Sequence, residues 1–243
     1  MKMQNPSKSS KPSNPSKSSK PSNASDSVSV SPSGEAFPLP KPEDYAKEFK
    51  RLQKLVAAQR KEGREIVVVM GLGFVGAVMA GVVADSEAKL STIHHSPSTK
   101  APSSLTHDPL PRYPKFVIGV QRPSTRSYWK IPLLNRGITP VEAEDPEVAP
   151  MIARCVKDKK TLIATYTEDA LTLADCVVVD VQCDYFKETL GNCRQGHAEI
   201  KALEDSLKII GEKIKPDCLV LIETTVPPGT TEYIAYQIIK KAF

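Results

Sequence analysis

The sequence predicts an α/β protein built on a doubly wound parallel sheet. Three observations carry that reading. Short runs of β-branched and aliphatic residues alternate with segments of helical period over residues 64–243. One of these runs, Ile66–Met70, passes without a gap into Gly71-Leu72-Gly73-Phe74-Val75-Gly76 and then into small apolar residues. Aromatic residues make up only 6% of the chain, which suits a core of Val, Ile, Leu and Ala better than a β-sandwich.

Taken in order, residues 1–42 read as a disordered tail. Thirteen Ser and eight Pro make up half of them, and the nonapeptide NPSKSSKPS occurs twice, at 5–13 and 14–22. Such a composition has too little apolar surface to offset the entropy of ordering. It reads either as an interaction or phosphorylation tail or as a dispensable extension. Order is expected to begin near Pro42. Tyr45, Phe49, Leu52 and Val56 recur at helical spacing and predict a helix over residues 43–63, stopped at Gly63.

The run Ile66–Met70 reads as a strand buried on both faces, and Ala77–Ala84 as a helix slim enough to lie close on a sheet. Residues 86–115 change character. With six Ser, five Pro and three of the four His, they read as a loop inserted before the second strand. The adjacent pair His94-His95 has no carboxylate or thiol at ligand spacing, so a solvated loop is preferred to a metal site.

Beyond the insertion, strands are expected at Phe116–Val120, Thr161–Tyr166, Cys176–Val181 and Leu219–Ile222. Helices are expected at Trp129–Arg136, Pro146–Val156, Glu168–Ala174 and Ala198–Ile214, with a last one at Thr230–Lys241.

Charge and cysteine content exclude several classes. The formal net charge is +5, yet residues 1–42 alone carry +4, so the basicity belongs to the tail. The remainder has no basic stripe with interleaved aromatics, which argues against a nucleic-acid partner. The five cysteines are odd in number and lack a CxxC pair, as expected of reduced thiols in a cytoplasmic protein. No apolar stretch reaches membrane-spanning length, and the N-terminus lacks the hydrophobic segment of a secretory signal.

The glycine loop is the main chemical signal. In a Rossmann-like fold Gly71 permits the tight turn out of the strand, Gly73 lets backbone approach a pyrophosphate, and Gly76 lets helix meet strand. The helix N-terminus adds free N–H groups and a positive dipole end. The strand before and the helix after supply the required context for a dinucleotide, although the same glycines also fit a tight turn with no ligand. A carboxylate is expected at the end of the second strand for the adenosine ribose, but Gln121-Arg122 stands there instead. Gln121 can bond a ribose hydroxyl and Arg122 can pair with a 2′-phosphate, which leaves NAD and NADP both open. After the fifth strand, Glu223-Thr224-Thr225-Val226-Pro227-Pro228-Gly229-Thr230-Thr231 offers hydroxyls and amides where ligands bind in open sheets, or else Thr230 or Thr231 caps the last helix.

Together, Gly71–Gly76, Val117-Ile118-Gly119-Val120 and Thr224–Thr230 resemble the N-terminal NAD-binding domain of the UDP-glucose/GDP-mannose (nucleotide-sugar) dehydrogenase family. The resemblance covers residues 64–243. It implies a Rossmann-like fold, NAD as cofactor, and a two-step oxidation of a sugar CH2OH to a carboxylate in polysaccharide-precursor synthesis, with a nucleotide as the substrate's handle. Carried over residue by residue, it makes Gly71, Leu72, Gly73, Phe74, Val75 and Gly76, with Thr225 and with Thr165 or Thr167 after the third strand, the cofactor contacts; Gln121 and Arg122, read above as cofactor contacts from the strand end, stand where the family's acidic ribose ligand is replaced. Thr225 also takes a supporting catalytic role near the reacting carbon.

The family's nucleophilic Cys is expected beyond Phe243, so this chain is expected to bind cofactor and catalyse little alone. Cys183 is not that cysteine; it is either a reactive thiol at the cleft or a plain strand-end residue. A missing strand is expected to leave an apolar edge that favours oligomerisation or a further domain. A non-catalytic dinucleotide module, or a subunit completed by a partner chain, is the alternative. A short reductase with Tyr236 and Lys240 as its pair is a third reading, disfavoured because that spacing falls late, in the last helix.

Overall fold

The computed structural model describes residues 27–86, 114–187, 189–192 and 194–243. The His94-His95 loop, most of the inserted segment and Cys193 therefore lie outside the described residues.

The chain orders earlier than its composition suggests. Strands β1 (Val28–Val30) and β2 (Ala36–Pro38) form an antiparallel hairpin in which Ser29 pairs with Phe37. Residues 27–42 were expected to belong to the disordered tail. They order because their serines act as buried hydrogen-bonding groups rather than as solvated ones. Ser31 Oγ accepts the Glu35 N–H at 3.0 Å, and Ser29 Oγ accepts the Trp129 N–H at 3.1 Å. Phe37 is buried, and the Arg136 guanidinium lies 5.4 Å from its ring centre while pairing with Glu35.

Helix α1 (Pro42–Lys61) starts with proline in its first turn, where a missing N–H costs nothing, and with Asp44 accepting the Lys41 N–H. Its apolar stripe puts Leu52 and Val56 into the core; burying each stabilises by roughly 1.5–3 kcal/mol.

The central sheet has five parallel strands. They are β3 (Glu65–Met70), β4 (Lys115–Val120), β5 (Leu162–Thr165), β6 (Cys176–Val179) and β9 (Leu219–Ile222), in the spatial order β5-β4-β3-β6-β9. Strands β3, β4 and β6 are β-branched or aliphatic almost throughout because helices cover both faces. The α1 helix, a 3-10 helix at Glu168–Leu173, α5 (Lys201–Lys213) and α6 (Tyr236–Ala242) cover one face. On the other lie α2 (Phe74–Asp85), α3 (Lys130–Asn135) and α4 (Val148–Lys157).

The observed elements differ from expectation in three further places. The connection from β5 to β6 is too short for a full helix and closes as the 3-10 turn, so α1 supplies the cover there. The last helix opens with a π-type turn at Thr231–Ala235, and the buried Thr230 makes no side-chain cap bond. A short hairpin, β7 (Asp184–Phe186) with β8 (His197–Glu199), projects after β6 with the Phe186 and His197 rings stacked. On the outer strand, Leu219 is 57% and Leu221 44% exposed, and no strand borders the far edge of β9 among the described residues.

At the end of the sheet away from the glycine loop, Asp175 ties four segments together. It accepts the Ile66 N–H at 2.9 Å, the Arg60 guanidinium at 2.7 Å and the Lys215 ammonium at 2.8 Å. Burial works against its charge, but Lys215, the Ile66 amide and Arg60 together hold the carboxyl below its ordinary value. A depressed carboxylate stabilises the fold above its unfolded pKa of about 4 and loses that contribution as pH falls through the folded value. Asp175→Ala should cost about 2 kcal/mol, because the buried Ile66 amide is left unpaired. Urea titrations at neutral pH and at about pH 3 check this: the difference between wild type and variant should shrink at the lower pH.

Candidate functional site

The sheet order places β3 and β6 side by side, with the chain leaving β3 towards β4 and leaving β6 towards β9. Such a reversal opens a crevice at the carboxyl ends of the strands. Here it forms a cleft of about 660 Å³.

The floor is the glycine loop. Gly71 has φ +99°, and a Cβ there would lie 2.3 Å from the Asp180 carbonyl oxygen. A Cβ on Gly76 would lie 1.9 Å from the Gly71 carbonyl oxygen. Both clashes are with backbone that cannot step aside. Gly73 is different. Its backbone is ordinary, at φ −73° and ψ −165°, and a Cβ there would meet no protein atom within 4 Å. Nothing in the protein's own packing asks for glycine at 73; a side chain there would only occupy space at the mouth of α2. The first turn of α2, beginning at Phe74, has free N–H groups and carries no charged side chain. That is an anion-binding arrangement.

One wall comes from the end of β4 and the segment to α3. Gln121 Oε1 accepts the Leu72 N–H at 3.0 Å, and Lys130 Nζ donates to the Leu72 carbonyl at 2.9 Å. The loop is thus stitched to this wall through the two peptide units that flank the Leu72 Cα. Burial pushes the Lys130 ammonium below its ordinary value. Arg122 reaches the cleft while its Nε donates to Glu168 at 2.8 Å.

The opposite wall comes from the ends of β6 and β9. Asp180 lines it with Oδ2 buried and without a hydrogen-bond partner among the described residues. Burial first, and then the charge of Glu223, push the Asp180 carboxyl up. Thr224 Oγ1 donates to the Val181 carbonyl at 2.8 Å, and the Tyr185 hydroxyl donates to the Thr225 carbonyl at 3.0 Å. Thr224 therefore anchors the turn, while Thr225 stays exposed at the cleft with its side chain unbonded among the described residues.

Of the residues singled out in the sequence, Gly71, Gly73, Phe74, Val75, Gly76, Gln121, Arg122 and Thr225 come together around this cleft. Two do not. Leu72 is fully buried in the core and does not line the cleft; its backbone N–H and C=O bond Gln121 and Lys130. Thr165 is also fully buried, and its hydroxyl donates to Glu48 of α1 at 2.7 Å, away from the cleft. Cys183 lines the cleft beside Gln182. Sequence reasoning missed Asp180 and Lys130, and took in Glu223 only as the first residue of the turn after the fifth strand. Asp180 was open to the rule already applied to β4, that residues just past a parallel strand face the ligand. Lys130 carries no such mark, because it arrives from ten residues further along an irregular segment. Among the described residues no group of His, Cys, Asp and Glu is arranged to hold a metal ion, and no helix is long and apolar enough to cross a membrane.

Residues 117–243 match the UDP-glucose/GDP-mannose dehydrogenase family, NAD binding domain. Among solved structures, the chain is similar to an NDP-N-acetyl-D-galactosaminuronic acid dehydrogenase from Methanosarcina mazei Go1. Identity is 27% and the TM-score 0.57, covering 79% of this chain and 33% of that one. It is also similar to a GDP-mannose dehydrogenase from Pseudomonas aeruginosa, at 22% identity and a TM-score of 0.51, covering 72% of this chain and 32% of that one. The second likeness is one of fold. The chain spans about a third of the length of both. No curated protein gives a significant match.

The three glycines should separate by stability. Gly71→Ala and Gly76→Ala should each destabilise by more than about 2 kcal/mol, since backbone must move or strain. Gly73→Ala should cost no more than about 1 kcal/mol, the N-cap preference for glycine over alanine, because a Cβ there meets no protein atom. Thermal unfolding of the three variants checks the order; equal losses at all three would contradict it.

Proposed function

The chain belongs to the UDP-glucose/GDP-mannose dehydrogenase family through its NAD-binding domain, and from that premise we propose that it forms the cofactor-holding part of an enzyme that oxidises the CH2OH of a nucleotide-linked sugar to a carboxylate. When bound, NAD supplies the hydride acceptor for such an oxidation.

The residues of the cleft fit the group. The unneeded glycine at 73 carries the reading: it leaves room for a pyrophosphate to lie against backbone, and no packing requirement of the protein accounts for it. The open N–H groups at Phe74, Val75 and Gly76 would bond phosphate oxygens, with the α2 dipole adding to the attraction. Gln121 and Lys130 hold the Leu72 peptide, so the loop keeps its shape before any ligand arrives. That preorganisation lowers the ordering cost of binding.

At the other end, Thr225 offers a free hydroxyl where the substrate carbon would stand against the dinucleotide. Thr224 fixes the turn that presents it. The domain boundaries proposed are an ordered N-terminal hairpin and helix ahead of the dinucleotide-binding domain at 64–243.

Titration with NADH, followed by the change in its fluorescence, tests the reading on the 243-residue chain. Saturable binding by the wild type and at least a tenfold (about 1.4 kcal/mol) weaker Kd for Gly73→Val, with an unchanged circular dichroism spectrum, is the expected outcome. Equal affinity in the two proteins would show that the space above Gly73 is not the phosphate site.

A further inference from the structure

The inference here rests on reading the cleft as a dinucleotide site, and concerns which dinucleotide it accepts. A carboxylate just past the second strand of such folds bonds the 2′-hydroxyl of the adenosine ribose and repels a phosphate there; an arginine nearby accommodates the 2′-phosphate instead.

In this chain the second strand is β4. From its end to the start of α3 the sequence is Gln121-Arg122-Pro123-Ser124-Thr125-Arg126-Ser127-Tyr128-Trp129-Lys130. The segment contains three cations and no acid. Gln121, Arg122, Ser127 and Lys130 from it line the cleft.

Gln121 replaces the expected carboxylate, and its side chain is spoken for. Its Oε1 takes the Leu72 amide, and its Nε2 donates to Ser127 Oγ at 3.4 Å. The hydroxyls of Ser124 and Ser127 lie 2.7 Å apart, and Ser127 Oγ donates to the Arg122 carbonyl. Of the two hydroxyls, that of Ser127 lines the cleft, on the same segment as the two cations that reach it. Glu168 holds Arg122 through its Nε, which aims the group and leaves its Nη donors unbonded among the described residues. Lys130 is half-buried and has no carboxylate partner among the described residues; its ammonium bonds a neutral carbonyl and lies 5.9 Å from the Trp129 ring centre. A half-buried ammonium without a counter-ion is costly unless an anion arrives.

The acids of the cleft, Asp180 and Glu223, follow β6 and β9. In the sheet order those strands lie across β3 from β4, so the negative side of the cleft is separated from this wall by the glycine loop. We propose that the Arg122–Lys130 wall is a 2′-phosphate pocket, and that the chain binds NADP at least as tightly as NAD. The phosphomonoester brings about −1.5 to −2 charge at pH 7 and three acceptor oxygens, which match a guanidinium, an ammonium and the Ser127 hydroxyl.

Calorimetric titration of the full chain with NAD+ and with NADP+ tests this. NADP+ should bind with a Kd equal to or below that of NAD+. Raising the salt concentration should weaken NADP+ more than NAD+, because an exposed charge contact is screened. Lys130→Gln should lower the NADP+/NAD+ affinity ratio by about fivefold or more. Gln121→Glu keeps an acceptor for the Leu72 amide while adding a carboxylate to the wall, and should lower that ratio by at least about tenfold. NAD+ binding more tightly than NADP+ to the wild type, or a ratio that both substitutions leave unchanged, would overturn the 2′-phosphate pocket and leave the dinucleotide reading standing. Failure of both dinucleotides to bind would overturn the two together.

Discussion

The cleft depends on one close approach of backbone to backbone. The Asp180 carbonyl stands where a side chain on Gly71 would be, and the Gly71 carbonyl stands where one on Gly76 would be. Strands β3 and β6 can be neighbours in register from Val67–Cys176 to Met70–Val179 only if the chain turns sharply out of β3 beneath the end of β6. That turn sets the start of α2, and α2 then has its first amides at the switch point. Slim residues such as Ala77, Ala80 and Gly81 let the helix lie close to the sheet and against Met151 and Ile152 of α4.

A second constraint is coverage. A parallel sheet must be buried on both faces, yet the β5–β6 connection is too short to contribute a full helix. Helix α1 fills the vacancy. Its Leu52 and Val56 join Phe116, Ile118 and Leu171 in one cluster, and Tyr45 meets the Tyr166 ring edge-on at 5.1 Å. The Glu48 carboxylate, held below its ordinary value against its burial by Arg51 and Thr165, then takes the hydroxyl at the end of β5. One element thereby covers the sheet and removes Thr165 from the cleft.

These two constraints explain what could be read from the sequence. The strands were legible because burial on both faces demands uninterrupted apolar runs, and the glycine loop because its strand and its helix adjoin it directly in the chain. The turn Thr224–Gly229 was legible because it directly follows a strand. Thr165 was misplaced because Glu48, its partner, lies 117 residues away. The hairpin at 28–38 was hidden by serines that look like solvated residues and instead are buried and bond backbone amides. Lys130 was hidden because irregular chain carries no period. The 3-10 turn at Glu168–Leu173 and the π-type turn at Thr231–Ala235 share the residue types of ordinary helices, so their hydrogen-bond pattern was settled by packing.

The hairpin has a consequence for how this protein should be cut. Ser29 holds the amide of Trp129, and Lys130, the next residue, enters the cleft. Glu35 and Phe37 hold Arg136 at the other end of the same short helix. One wall of the cleft is therefore buttressed by residues near the front of the chain, while the opposite wall is made by residues close to its last helix. The architecture is circular in effect although the chain is linear. A deletion series scored by expression would set the border at Pro42, where the composition changes; the same series scored by ligand would set it ahead of Val28.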